Sequence, residues 1–232
     1  AAGVVALLPE NNLAGPVLFD FEPSGKTLNV AKYTAAGAVE ALADTGSAVE
    51  LYSGYGKHIV TALETINGSA VGIVATEKAP LCHKCTAKAA RFVRLCDAYS
   101  IPVVTVVNSE GFVKSEGDDQ AGGIRQAARM AGVYAEATTV KVAVLAGEAV
   151  GPVYTVFGAC ADWRVAVKGC TIAPLAPETA VSVLYKDEIY ASDNIADATR
   201  EKAAAYAREV CGAEAAACSG AADTVADAAG VR

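Results

Sequence analysis

Three features of the sequence predict an α/β fold with a largely parallel sheet. The first is a pair of apolar runs, "HIVTALETI" and "AVGIVAT", on either side of Asn67-Gly68, a dipeptide that supplies the two positive-φ residues of a tight hairpin. The second is "IPVVTVVN", a continuous valine-rich run of strand length, which marks a strand covered on both faces. The third is the helical spacing between such runs: Phe92, Leu95, Cys96 and Tyr99 fall at i, i+3, i+4 and i+7 and so share one helix face. Strands joined by helices of this length imply right-handed crossovers.

The elements follow in order. Pro9, Asn11, Asn12, Gly15 and Pro16 break any period near the N-terminus until "AGAVEALAD" offers a short helix, so residues 1–50 read as a lead-in segment and residues 51–232 as one domain. The hairpin comes next, then a helix in "TAKAARFVRLCDAYS" that ends before Pro102, because the residue preceding a proline avoids the α region. After "IPVVTVVN" a second helix, roughly Gly122 to Ala137, leads to the apolar strand "VKVAVLAG", and a third helix begins after Pro152. Beyond residue 170, "APLAPETAVSVLY" reads as a proline-punctuated loop, followed by a helix from about Asn194 to Val210 and an Ala-rich stretch. No internal repeat or low-complexity linker divides the chain, which makes one domain the simplest count.

Composition narrows the function. An apolar fraction of 53% in 232 residues supplies a full core, and a net charge of -7 with no block of like charge offers a polyanion no attractive surface. Nucleic acid is therefore not an expected partner. No run approaches the roughly 18 to 20 apolar residues of a membrane span, and no basic segment followed by an apolar stretch opens the chain. A cytoplasmic location without a transmembrane segment is the expectation. The seven cysteines are odd in number, in a chain too long to need stapling, so reduced thiols are expected.

"LCHKC" places Cys82, His83 and Cys85 together. A structural zinc site needs four ligands, usually from two such knuckles, and the second is missing. Beside a zinc knuckle and a redox pair, the reading favoured for these residues is ordinary thiols before a helix, since the motif lacks its partner pair, and no metal is expected. There is no G-x-S-x-G elbow, no phosphate-binding G-x-x-x-x-G-K-[ST] and no G-x-G-x-x-G after a strand. With two histidines in the chain, and His58 at the start of an apolar strand, chemistry is left largely to backbone donors. Two strand ends offer them: Gly111-Phe112 in "VVNSEGF", and Gly151 in "AVGPVYT". Both fall where ligands bind in open α/β sheets, and position alone leaves a ligand site and a simple glycine turn equally open.

Taken in order, "LLPENN", "ELYSGYGKHIVTALETINGSAVGIVAT", "KAARFVRLCDAYSIPVVTVVNSEGF", "GGIRQAARMAGVYAEATTVKVAVL" and "GEAVGPVY" resemble the C-terminal half of the carboxyltransferase subunits of biotin-dependent acyl-CoA carboxylases and sodium-pumping acyl-CoA decarboxylases. The likeness runs from Leu7 to about Tyr154, with weaker agreement beyond, where "GAADTVADAAGVR" is similar to a closing strand. It implies a single crotonase-like domain, the ClpP/crotonase ββα superhelix. It also implies an oligomer with threefold symmetry whose sites lie between a biotin-side domain of this type and a coenzyme A-side domain. "LLPENN" resembles the linker between the two halves, so an N-terminal-type half or a paralogue is the expected partner, together with a biotinyl carrier and an acyl-CoA substrate.

The activity implied is movement of a carboxyl group between biotin, carried on a separate protein or domain, and an acyl-CoA. Backbone N–H groups in an oxyanion hole stabilise the enolates. Carried over residue by residue, the resemblance gives Gly151, Pro152 and Val153 the catalytic position, sets Gly111, Phe112 and Tyr154 against biotin, and matches Thr155 to a position that influences acyl choice. The sequence departs from the family at the same place. Pro152 stands where a second glycine is usual and lacks an N–H, Val153 replaces a small residue, "VKS" follows Phe112 in place of proline and glycine, and the segment after Thr171 is shorter. Two alternatives accompany this reading. One is a catalytically weakened structural subunit of such a complex. The other is a crotonase-type hydratase or isomerase, for which Glu110 and Glu148 are the only acids beside the two strand ends.

Overall fold

The Asn67-Gly68 dipeptide does what its backbone preferences dictate. Both residues take positive φ, 51° and 78°, and the two-residue turn joins β2 (Ile59–Ile66) to β3 (Ser69–Thr76) in full antiparallel register, from Ile66 opposite Ser69 to Ile59 opposite Thr76. The computed structural model describes residues 2–232. A short β1 (Val49–Leu51) borders the hairpin antiparallel to β2. From β3 onward every pairing is parallel: β4 (Val103–Ser109), β5 (Lys141–Val150), β6 (Trp163–Val167) and β8 (Thr224–Ala226) continue the sheet, while β7 (Thr171–Ala173) pairs with β5 alone. The sheet is thus mixed, with an antiparallel lead-in and a parallel body.

Both faces are covered, as the unbroken apolar runs of β4 and β5 require. On one side α3 (His83–Ala98) and α5 (Gly123–Glu136) pack with Phe92, Val93, Cys96, Met130 and Tyr134 fully buried. Of the face expected on α3, Phe92 and Cys96 are buried while Leu95 and Tyr99 remain half-exposed. On the other side α2 (Ala35–Leu42), capped by the Thr34 hydroxyl accepting from Gly37 N–H at 3.0 Å, buries Ala35, Ala38, Val39 and Leu42 against β2 and β3. A further helix, α1 (Ala2–Leu7), precedes these and buries Leu7.

The helix α3 lies so close to β3 that a Cβ on Gly72 would meet the Cys96 sulfur at 2.5 Å and the Phe92 ring at 3.2 Å. Gly72→Ala is therefore expected to destabilise the chain by about 1 to 2 kcal/mol through overpacking. A lower urea midpoint at unchanged slope would record it.

Beyond β7 the structure corrects the sequence reading. "APLAPETAVSVLY" is not a loop: Pro177 occupies the first turn of α6 (Pro177–Leu184), a position where its missing N–H has no intrahelical acceptor to lose. The helices α7 (Lys186–Tyr190) and α8 (Ile195–Val210) follow, the latter capped by Asn194. These three share a small cluster of Val181, Ile189 and Ala203, with Tyr206 packed on it. Then α9 (Ala213–Cys218) leads into β8. Among the described residues no helix is long and apolar enough to cross a membrane.

Candidate active site

The strand β5 reaches the site by changing partners. Its first half, Val142 to Leu145, pairs with β6, and its last three residues, Glu148 to Val150, pair with β7. The register against β4 shifts between Val107 and Ser109. There the buried Asn108 side chain accepts Glu148 N–H at 3.0 Å, and only glycine fits at 147, since a Cβ would overlap that amide. The irregularity aims the end of β5 at the turn beginning with Gly151.

Gly151 has φ of 58°, a conformation that favours glycine. Its N–H donates to Ala173 O at 2.8 Å, and its carbonyl accepts Thr155 N–H at 3.2 Å and Thr155 Oγ1 at 3.3 Å. Pro152 therefore opens a helical turn at its first position, where proline is pre-organised. The turn continues as a π-type segment over Tyr154–Gly158, closed by Ala159 N–H donating to Tyr154 O at 2.9 Å. Because the first intrahelical bond belongs to Thr155, the N–H groups of Val153 and Tyr154 have no acceptor within the helix.

Gly151, Pro152, Tyr154 and Thr155 line one cavity of about 1550 Å³, and Phe112 lines it as well. Five of the seven residues singled out in the sequence thus line one cavity. The Val153 side chain is instead buried in the main core. Gly111 lies just outside the wall, with its φ of 128° directing its carbonyl to Leu81 N–H at 2.9 Å. Val113 N–H returns to Leu81 O at 3.0 Å, so Leu81 and Phe112 form a two-residue parallel bridge that holds the Phe112 loop. The Tyr154 hydroxyl donates to Ala221 O at 2.8 Å, tying the turn to the segment after α9. Nearby, Arg164 Nε and Nη2 donate to the Asp223 carboxylate at 2.9 Å each, which holds that carboxyl below its usual range.

Two further walls were not singled out in the sequence. Ile124, Ala127, Ala128 and Ala131 of α5 line the cavity at i, i+3, i+4 and i+7, a stripe of mostly small residues. Ile124 is 73% exposed there. Tyr206, Glu209 and Val210 from the end of α8, with Ala215, Ala216 and Cys218 of α9, line it as well. A third contributor is Asp118, on α4 (Glu116–Gln120). Its carboxylate accepts His83 N–H at 3.1 and 3.2 Å and pairs with His83 Nδ1 at 2.5 Å. Glu110 and Glu148 do not line the cavity, and Glu148 faces Lys78 at 3.6 Å. His58 turns to Pro80 O at 3.2 Å. Among the described residues no group of three or more His, Cys, Asp or Glu is placed to hold a metal ion.

Residues 9–232 match the family described as the carboxyl transferase domain. The methylmalonyl-CoA carboxyltransferase 12S subunit of Propionibacterium freudenreichii subsp. shermanii is 34% identical over 171 residues, covering 70% of this chain and 32% of that one. The methylmalonyl-CoA decarboxylase subunit alpha of Propionigenium modestum is 31% identical over 175 residues, covering 72% and 34%. A crystal structure of transcarboxylase 12S, a hexamer with methylmalonyl-coenzyme A and methylmalonic acid bound, superposes with a TM-score of 0.88 at 30% identity, covering 97% of this chain and 47% of its own. The chain spans less than half the length of these relatives. With the mixed sheet, the forked β5 and this match over nearly all its length, the chain belongs to the carboxyl transferase domain family and has its crotonase-like fold.

Proposed function

We propose that the chain is the biotin-side half of an acyl-CoA carboxyltransferase, moving a carboxyl group between biotin on a separate carrier and an acyl-CoA held with an N-terminal-type partner half. The observation that carries this reading is the single cavity that gathers the Gly151–Thr155 turn and Phe112 at the carboxyl ends of β4 and β5, where α/β sheets bind ligands. Its residues fit biotin. The alanine stripe of α5, Phe112 and Val210 give apolar walls for a ring system, and polar groups stand on the turn and at Asp118, Asp119, Tyr206, Glu209 and Ser219. Bound biotin would supply the carboxyl carrier. The chain's own part is to exclude water with those walls and to offer backbone N–H to an oxygen gaining negative charge. With Pro152 lacking a donor and the Gly151 N–H bonded to Ala173, that role falls to Val153 and Tyr154. A threefold ring assembly and a cytoplasmic location accompany this reading.

Filling the cavity from α5 tests it. Ala128 lines the cavity and is exposed, so Ala128→Phe should leave stability within about 0.5 kcal/mol. It should also lower carboxyl transfer to or from biotin, with the partner half present, by fivefold or more. An unchanged rate in the folded variant would place the biotin site elsewhere. A second reading, a structural subunit of such a complex, is favoured by the spent donors of the turn: Gly151 N–H on Ala173 O and the Tyr154 hydroxyl on Ala221 O.

A further inference from the structure

The "LCHKC" segment acquires a meaning in three dimensions that its spacing alone lacked. Cys82 is the N-cap residue of α3 and half-buried, Cys85 lies one turn on and is fully buried, and their sulfurs are 3.2 Å apart. Residues three apart at a helix start lie within the Cα separation that a disulfide spans. The remaining cysteines, Cys96, Cys160, Cys170, Cys211 and Cys218, are free thiols as well. We propose that Cys82 and Cys85 are a redox-active dithiol that closes reversibly into a disulfide at the rim of the cavity, with a low-molecular-weight disulfide as its oxidant. The proposal is independent of which ligand the cavity binds.

Exposure sets the order of events. Cys82 is the accessible sulfur, and burial followed by the Cys82 contact pushes the Cys85 thiol up to about 11, so Cys82 reacts first. Its thiolate attacks one sulfur of the oxidant RSSR, forming a mixed disulfide and expelling RS⁻. The Cys85 sulfur, already in contact, then attacks the Cys82 sulfur and expels the second RS⁻. The protons of the two cysteines pass to the two leaving thiolates, so two cysteine thiols are oxidised and one RSSR is reduced to two RSH. The second step is intramolecular and needs no solvent path to Cys85.

The rim follows because the pair sits between two of its anchors. Leu81, immediately before Cys82, exchanges hydrogen bonds with Gly111 and Val113 and thereby holds Phe112. His83, immediately after, grips Asp118 through its backbone N–H and its ring. Leu81, Phe112 and Asp118 all line the cavity. Drawing the Cys82 sulfur from contact to bonding distance shifts the segment that carries both anchors.

The full chain, incubated with oxidised glutathione under native conditions and then alkylated, tests this by peptide mass mapping. The expected product is a Cys82–Cys85 disulfide, with the Cys82 peptide losing its alkylation at least tenfold faster than the buried Cys96, Cys170 and Cys211 peptides and recovering it with dithiothreitol. A stable glutathione adduct on Cys82, or full alkylation of both thiols while exposed Cys218 is modified, would overturn the proposal. Hydrogen exchange reads the link to the rim: the Val113 amide, which donates to Leu81 O, should change its rate at least threefold on oxidation and not in Cys82→Ser Cys85→Ser. An unchanged Val113 rate with the disulfide formed would overturn that link.

Discussion

Raising the pH from 5.5 to 7.5 is expected to destabilise the folded chain by about 2.7 kcal/mol, and Glu64→Gln is expected to abolish that slope. Glu64 lies in the middle of β2, fully buried, and neither carboxyl oxygen has a hydrogen-bond partner. Burial, and then the negative Asp44, push it up to about 9, against a smaller opposing pull from Arg232. Asp44 is itself satisfied: it accepts the N–H groups of Asn67 and Gly68 at 3.2 and 2.8 Å and pairs with Arg232. Burial opposes its charge, but the hydrogen bonds from Gly68 and Asn67 and the Arg232 charge together hold its carboxyl below the ordinary range. The sign follows from proton counting. Between about 4.5 and 9 the folded Glu64 keeps its proton and the unfolded one releases it, so each pH unit favours unfolding by about 1.36 kcal/mol. Below 4.5 both states are protonated and the difference vanishes. Urea unfolding of wild type and Glu64→Gln at both pH values measures it. Equal slopes in the two proteins would mean that Glu64 is ionised in the fold.

Pro152→Gly is expected to raise kcat/KM for carboxyl transfer at least tenfold, assayed with the partner half and biotin. The substitution restores an N–H at the first position of the turn after Gly151, beside the residues that line the cavity. Loss of one such donor in other oxyanion sites costs roughly 2.7 to 4 kcal/mol in the transition state, of which tenfold recovers about 1.4 kcal/mol. Glycine also frees the unfolded chain and should lower stability by up to about 1 kcal/mol, so rates are compared at equal folded fraction. A folded but slower variant would assign proline a pocket-shaping role, with the Val153 and Tyr154 N–H groups as the sufficient donors. No transfer in either protein would favour the structural-subunit reading.

The hairpin, β4 and β5 were legible because local chemistry and burial agree there: Asn67-Gly68 needs positive φ twice, and valine runs need two covered faces. The turn at Gly151 was legible through wording shared with a family, while its hydrogen bonding was not. Nothing in "AVGPVYT" tells that Gly151 N–H is taken by Ala173, because that bond depends on β7, a three-residue strand too short to show a period. Pro177 misled for the opposite reason: read as a breaker, it starts a helix, and only the chain direction after it separates the two. The far walls of the cavity were present as spacing, in Ile124, Ala127, Ala128 and Ala131. Small residues at that spacing read as packing until a cavity is seen beside them. The His83–Asp118 pair spans 35 positions, and no local pattern joins them.

The cluster of Val181, Ile189 and Ala203 is separate from both cores of the sheet, and it is small. Segments with so little buried apolar surface open at a fraction of the global unfolding free energy. The wall that Tyr206, Glu209 and Val210 lend to the cavity is therefore expected to open more readily than the sheet, so that only a fraction of molecules presents it at any moment. A ligand that touches both walls binds with its intrinsic dissociation constant divided by that fraction. Val181 and Ile189 do not line the cavity, yet trimming either one is expected to weaken binding without removing any contact: the ligand meets the same surface, less often assembled.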